Sequence, residues 1–307
     1  MEQPLVSVII PVFNDTAGLQ QCLVALDSQT YPQSRYEIIV IDNGSDQIQA
    51  IESLVANHRA TRLVHEPTPG SYAARNRGIA VATGEILAFT DADCIPNDDW
   101  LMTGVTTLTS ISNCGLVAGR IKMFLQNPAR PTAVELYESI RALPQNEFVN
   151  QAHFGATANI FTYRQVFHTV GLFDSSLKSS GDLEWGQRVY AAGYQQVYAE
   201  ACLVQHPTHT TLQSFCARAR RLVGGHYDLQ MKRTQTYWQR QSVFLRGIFM
   251  GLFPYVNSQG VVTTLLSDAK TKSIVLKAKM LTLLVLSRCV SSLEIMRLKV
   301  GGFSKRA

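Results

Sequence analysis

Apolar residues recur along this chain in two rhythms. Residues 5–12 (LVSVIIPV), 36–41 (YEIIVI) and 85–90 (EILAFT) are short, nearly unbroken runs rich in Val, Ile and Leu. Such runs predict strands buried on both faces, as in a parallel sheet. Between them the spacing is helical. In 16–28 apolar residues fall at 19, 23, 24 and 26, a helix is expected over 47–57 before a short strand at 61–65, and an Ala-rich helix over 71–82. Further along, the pattern predicts helices at 98–112, 132–142, 163–170 and 182–192, and strands at 114–124 and 195–204. Strands alternating with helices imply right-handed βαβ units and an open, mostly parallel sheet flanked by helices, an α/β class with a Rossmann-like plan.

Ligands of such sheets bind beyond the carboxyl ends of the strands. Asn14, Asp42 and the pair Asp91/Asp93 each stand just past a strand end, so three strands deliver polar groups to one rim. Two carboxylates one residue apart suit a hard cation such as Mn²⁺ or Mg²⁺ beside a diphosphate, although for Asp91-Ala92-Asp93 taken alone an Asp-rich turn capping the next helix is the better reading. Asp42-Asn43-Gly44-Ser45 could accept from a base or ribose, or form an Asx turn. Arg75 and Arg77 precede the Asp91 strand, where a guanidinium could pair with phosphate in a forked geometry; Arg77 reads better as a solvated face. Asp182 could cap the helix that it starts or act as a general base at a cleft. Trp185 fits the core or a flat platform for a sugar ring. His206, at a strand end before a proline, fits a structural role or a third metal ligand.

Composition changes this picture little until the chain is divided. The 307 residues are 46% hydrophobic and 17% charged, enough for one large or two modest domains with a real core. The net charge of +5 hides two opposite parts: residues 1–210 balance at −8 and residues 211–307 at +13. The basic third carries Arg218, Arg220, Arg221, Lys232, Arg233, Arg240 and Arg246, interleaved with Tyr227, Tyr237, Trp238 and Phe244. Long aliphatic runs between the charges favour an anionic membrane surface over nucleic acid as the partner. A solvated helical bundle is the bland alternative. Residues 247–267 are long enough to span a bilayer, but Pro254, Asn257, Ser258, Gln259 and Gly260 in their middle favour two helices broken there. Six scattered cysteines without CxxC spacing point to free thiols in a reducing compartment, and the N-terminus reads as a strand rather than a signal peptide. The expected location is therefore cytoplasmic, peripheral on the inner face of the cell membrane.

Several blocks, in order, resemble the family 2 glycosyltransferases, which have the GT-A fold. They are Val8-Ile9-Ile10-Pro11-Val12-Phe13-Asn14, Ile41-Asp42-Asn43-Gly44-Ser45, Gly70 to Gly78 (GSYAARNRG), Ala82-Thr83-Gly84-Glu85, Phe89-Thr90-Asp91-Ala92-Asp93, Val170 to Asp174, and Gly181-Asp182-Leu183-Glu184 with Arg188 and Ala192-Gly193-Tyr194 behind it. The resemblance covers about residues 5–207. It implies a catalytic domain over 1–210; the charge split marks off 211–307 as a basic amphipathic helical region.

What the resemblance implies is inverting transfer from a nucleotide-diphosphate sugar, often a UDP-sugar, to a hydroxyl of a glycan or lipid-linked acceptor. Pro11, Val12, Phe13, Asn14, Asp42, Asn43, Arg75 and Asp91 would lie at the nucleotide, Asp93 and His206 at a divalent metal (Mn²⁺ or Mg²⁺), and Gly181, Glu184 and Trp185 on the acceptor or sugar side. Asp182 would take the acceptor proton. Two departures stand out. The family commonly has Glu-Asp where this chain has Gly181-Asp182. The Gln-x-x-Arg-Trp block of processive synthases is missing, since Gln213 is followed three residues later by Cys216. That argues for single additions. A catalytically silent nucleotide-sugar-binding scaffold at the membrane is the alternative. An enzyme that makes nucleotide sugars fits less well, because Val12-Phe13-Asn14-Asp15 occupies the place of its Gly-rich loop.

Overall fold

The structure is a computed structural model that describes residues 3–141, 143–252 and 274–304. It divides into two compact units. The first holds the described parts of Met1–Lys122, Leu143–Ser176 and Gly181–His206; the second holds those of Met123–Ala142, Leu177–Ser180 and Pro207–Ala307.

The first unit is built on β1 (Val6–Val12), β2 (Tyr36–Asp42), β3 (Thr61–His65), β4 (Ile86–Thr90), β5 (Ile95–Pro96), β6 (Cys114–Phe124), β7 (Asn159–Tyr163) and β8 (Gln195–Pro207), in the sheet order β3-β2-β1-β4-β7-β6-β8-β5. The apolar runs form its centre. Val8, Ile9, Ile10, Ile38, Ile39, Val40, Ile41, Leu87, Ala88 and Phe89 are all fully buried. Each buried aliphatic side chain contributes ~1.5–3 kcal/mol of transfer free energy, so these runs cannot pair in another register without large loss. β1 pairs in parallel with β2 and β4, and β2 with β3; Val12 stands opposite Asp42 and Ile9 opposite Phe89. This register sets the ends of β1, β2 and β4 at one edge of the sheet.

Beyond β4 the sheet turns antiparallel. β7 pairs with β4 and β6, and β5 with β8. β7 has no counterpart among the predicted strands, because its residues Asn159 and Thr162 are polar. Both are fully buried and bonded. The Asn159 amide accepts from Trp100 Nε1 at 2.8 Å and donates to the carbonyls of Arg120 and Cys202 at 2.9 Å each. Local polarity hid a strand whose polar groups are satisfied by tertiary partners.

Helices α1 (Thr16–Asp27), α2 (Ile48–Ala56), α3 (Ser71–Val81), α4 (Trp100–Ser110) and, after α5 and α6 described below, α7 (Arg164–Val170) and α8 (Gly181–Ala191) complete the unit. Asp15 caps α1, its carboxylate accepting from Gly18 N–H at 2.9 Å. Gly78 lets α3 lie close on the sheet, since a Cβ there would meet Ile9 at 2.6 Å and Ile41 at 2.9 Å.

In the second unit, α5 (Ala133–Arg141) starts with a capping box. Glu135 N–H donates to Thr132 Oγ1 at 3.1 Å, and the Glu135 carboxylate accepts from Thr132 N–H at 2.8 Å. α6 (Gln145–Glu147) is a short turn of the first unit. α9 (Leu212–Arg233), α10 (Tyr237–Leu252) and α11 (Ile274–Lys299) follow. Val134, Leu136, Tyr137, Phe215, Met280, Leu283 and Leu284 form this unit's core, with a second cluster at Tyr227, Ile295 and Leu298. No helix among the described residues is long and apolar enough to cross a membrane. The helix break expected near Pro254–Gly260 lies outside the described residues.

Candidate active site

The polar rim assembles where β1, β2 and β4 end. Asn14, at φ 53°, turns the chain back after β1. Its amide donates to Asp46 Oδ2 at 2.9 Å and accepts from Asp46 N–H at 2.8 Å, while its own N–H donates to Ser45 Oγ at 2.9 Å. Asn14 thereby ties the loop after β1 to the loop after β2. Asp42 is buried, and its carboxylate accepts from Gly44 N–H (3.1 Å) and Ser45 N–H (3.0 Å), an Asx turn. Asn43 is buried too. Its amide donates to the carbonyls of Glu66 and Thr68 and accepts from Gly70 N–H, each at 2.8 Å, which fixes the start of α3. The Val12 side chain sits in the core, whereas Phe13 is 38% exposed at the rim.

Arg75 is the rim's buried cation, 3% exposed. It projects from α3, forms an ion pair with Asp91 and lies over the Tyr72 ring. Among the described residues its Nε has no hydrogen-bond partner. A buried guanidinium with an unspent donor beside a partly exposed carboxylate is suited to an anionic ligand.

Asp93 lies two residues on. Its Oδ1 is 3.6 Å from His206 Nε2. The antiparallel pairing of Ile95 with Gln205 brings them together, because it carries His206 alongside Asp93 and Cys94. Ligand atoms of Asp93, Cys94 and His206 all lie within 4.8 Å of one another. Burial pushes the Asp93 carboxyl above the usual range; His206 opposes this, and the charges of Asp91 and Asp15 add to it. Burial likewise pushes the Cys94 thiol well up, and sulfur is a poor donor for a hard cation. What remains is one carboxylate and one imidazole in a pocket of excess negative charge. That donor set fits a hard divalent cation.

Asp182 stands at the N-terminus of α8, partly exposed. Burial raises its pKa; the Leu183 N–H, the Arg75 charge and the Tyr72 hydroxyl act in the opposite direction without cancelling it. A carboxylate poised above its ordinary value is a better proton acceptor.

The three residues expected on the acceptor side lie around Asp182 but are otherwise engaged. Gly181 is buried against Tyr72. Glu184 is forked onto Arg188, at 2.8 Å to both Nε and Nη2. Trp185 is fully buried, and this corrects its reading as a sugar platform. Its ring stacks on Phe167 at 4.5 Å, packs near Phe173, and donates through Nε1 to the Gly171 carbonyl at 3.1 Å. With no face of the indole free, it belongs to the core.

The motif blocks gave Tyr72 and Asp15 no role, yet both face site carboxylates. No local pattern marks Tyr72, which reaches Asp182 only because the ring packs into the gap left at Gly181.

Comparisons with known proteins bear on the family and the fold. The glycosyl transferase family 2 profile matches residues 7–171. Glycosyltransferase AglE of Haloferax volcanii is 40% identical over 207 residues, 66% of this chain and 67% of that protein. The pre-mycofactocin glycosyltransferase of Mycobacterium tuberculosis is 29% identical over 218 residues, covering 69% of this chain but 45% of its own length. Among solved structures, the mannosyltransferase PcManGT of Pyrobaculum calidifontis, in complex with GDP-Man and Mn²⁺, matches with a TM-score of 0.64 at 18% identity, over 98% of this chain and 89% of that one. That likeness establishes the GT-A fold. With the family profile and a relative of 40% identity in agreement, the chain belongs to the family 2 glycosyltransferases, enzymes that use a nucleotide-sugar donor.

Proposed function

We propose that this enzyme inverts configuration while moving one sugar from a nucleotide-diphosphate donor to a hydroxyl of a lipid-linked or cell-surface glycan, with Asp182 as the base. The observation that carries this reading is the Arg75 bridge. Its guanidinium pairs with Asp91, and its charge also reaches Asp182, so donor-side and base-side carboxylates share one buried cation.

In the reaction, Asp182 takes the proton of the acceptor hydroxyl. The acceptor oxygen forms a bond to the anomeric carbon from the face opposite the leaving group. The bond from that carbon to the diphosphate oxygen breaks, and the nucleoside diphosphate departs with the electron pair. Arg75 and Asp91 orient the nucleotide end, with Pro11, Phe13, Asn14 and Asp42 forming the rim around it. Asp93 and His206 would hold the cation, whose charge, when bound, offsets that of the departing diphosphate.

The family resemblance favours a UDP-sugar. GDP-mannose is the second reading, because PcManGT, which shares the fold, was solved with it. The missing Gln-x-x-Arg-Trp block supports single additions. The membrane as a partner is supported by the charge of +13 in residues 211–307 and by α10, where Trp238, Leu245 and Phe249 are 78%, 63% and 50% exposed along one face. The test is release of nucleoside diphosphate by purified protein given UDP- and GDP-sugars with Mn²⁺. Release that chelator abolishes supports the reading. No release with any donor, with and without membrane extract, supports the silent scaffold instead.

A further inference from the structure

The Asp182 carboxylate is held asymmetrically. Oδ1 accepts from the Tyr72 hydroxyl at 3.1 Å and from the Leu183 N–H at 2.9 Å. No other residue among those described hydrogen-bonds Oδ2. The Tyr72 ring reaches this place because residue 181 has no side chain: a Cβ on Gly181 would lie 2.6 Å from the ring. On its other sides the ring is braced by Phe173, at 5.7 Å between centroids, and by the Arg75 guanidinium at 5.8 Å. Burial keeps the phenol protonated, so it remains a donor.

We propose that Tyr72 is a positioning residue for the base: seated in the gap left by Gly181, it locks Asp182 Oδ1 and leaves Oδ2 as the oxygen that takes the acceptor proton. The proposal rests on Asp182 being the base. Tyr72 itself touches neither sugar nor acceptor in this role. The groups that face the Asp182 carboxylate are Tyr72 and Arg75, both from α3, and the N–H groups of Leu183 and of Asp182 itself on its own helix. Removing the hydroxyl withdraws a donor that stabilises the ionised carboxylate, so Asp182 becomes harder to ionise and its rotamer is freed. Gly181 then has a function of its own, which is to admit the ring.

The test is a carboxyl titration of the full-length protein labelled with ¹³Cγ-aspartate, the Asp182 signal being identified by its loss in Asp182→Asn. Tyr72→Phe keeps the ring and should raise the Asp182 midpoint by about one pH unit. It should also lower kcat for nucleotide release about tenfold, with an unchanged donor KM and thermal midpoint. Gly181→Ala should produce the same shift in the wild type and no further shift in Tyr72→Phe. An unmoved Asp182 midpoint in Tyr72→Phe overturns the proposal, as does a Gly181→Ala effect fully additive with it. Failure of the base assignment looks different: Asp182→Asn would keep its turnover whatever Tyr72 does to the titration.

Discussion

His206 Nε2 stands 3.6 Å from Asp93 Oδ1, brought there by the pairing of the two-residue β5 with the end of β8. This contact adds an imidazole to the weak Asp-Ala-Asp signal, the second ligand that the proposed cation site needs. Mn²⁺ titration followed by electron paramagnetic resonance should show that Asp93→Asn abolishes high-affinity binding and His206→Ala weakens it by more than about tenfold. Cys94→Ser should bind as well as the wild type, because a sulfur donor adds little to a hard cation held by a carboxylate and an imidazole. Full Mn²⁺ affinity in Asp93→Asn would place the cation elsewhere.

Trp185 should act on stability and not on specificity. It is fully buried and stacked on Phe167. Trp185→Ala should cost ~3–5 kcal/mol in chemical denaturation, the range for truncating a large buried aromatic. Trp185→Phe, which refills part of the space, should fold and keep the acceptor KM. A raised acceptor KM in folded Trp185→Phe would restore the platform reading.

Glu135 makes a pH-dependent contribution to folding. Burial alone would raise its carboxyl, but hydrogen bonds from the N–H groups and side chain at Thr132, and from Asn127 and Gln126, outweigh it and hold it below the usual range. The unfolded chain therefore binds the proton more readily. The stabilisation is fully present above the ordinary glutamate value of ~4.3 and is lost as pH falls through the lower folded value. Glu135→Gln should cost ~1–3 kcal/mol at neutral pH, a gap that narrows below about pH 4. A gap independent of pH would mean that the charge on Glu135 does not matter.

The parallel half of the sheet was legible because each of its runs is buried on both faces. β3 and β6 lie at the predicted residues, 61–65 and 114–124, and β1, β2 and β4 within a residue or so of theirs. β7 was not legible, since Asn159 and Thr162 look like loop residues until Trp100, Arg120, Cys202 and Gly115 bond to them. The rim followed the same rule. Carboxylates at strand ends could be seen locally, whereas the partners of Asp93 and Asp182 come from β8 and α3 through pairing that no local pattern records. The burial of Trp185 is likewise a property of Phe89, Phe167 and Phe173 packing together.

If α10 meets a membrane, Trp238→Ser/Leu245→Ser/Phe249→Ser should detach the full chain from vesicles containing phosphatidylserine. Wild-type binding should weaken at high salt, because each Lys or Arg near the surface contributes ~1 kcal/mol that salt screens. Co-sedimentation reads both effects. Undiminished binding by the triple variant would remove this face from the account.

Asp182 as the base of a nucleotide-sugar transferase is the assignment on which the proposed function stands. Its most direct test compares wild type with Asp182→Asn for nucleoside diphosphate release from UDP-glucose and GDP-mannose with Mn²⁺, across pH. The wild type should release nucleoside diphosphate with at least one donor, with an acid limb above the ordinary carboxylate value of ~4. Asp182→Asn should lose at least a hundredfold with donor binding retained. Wild-type turnover in Asp182→Asn would contradict the assignment.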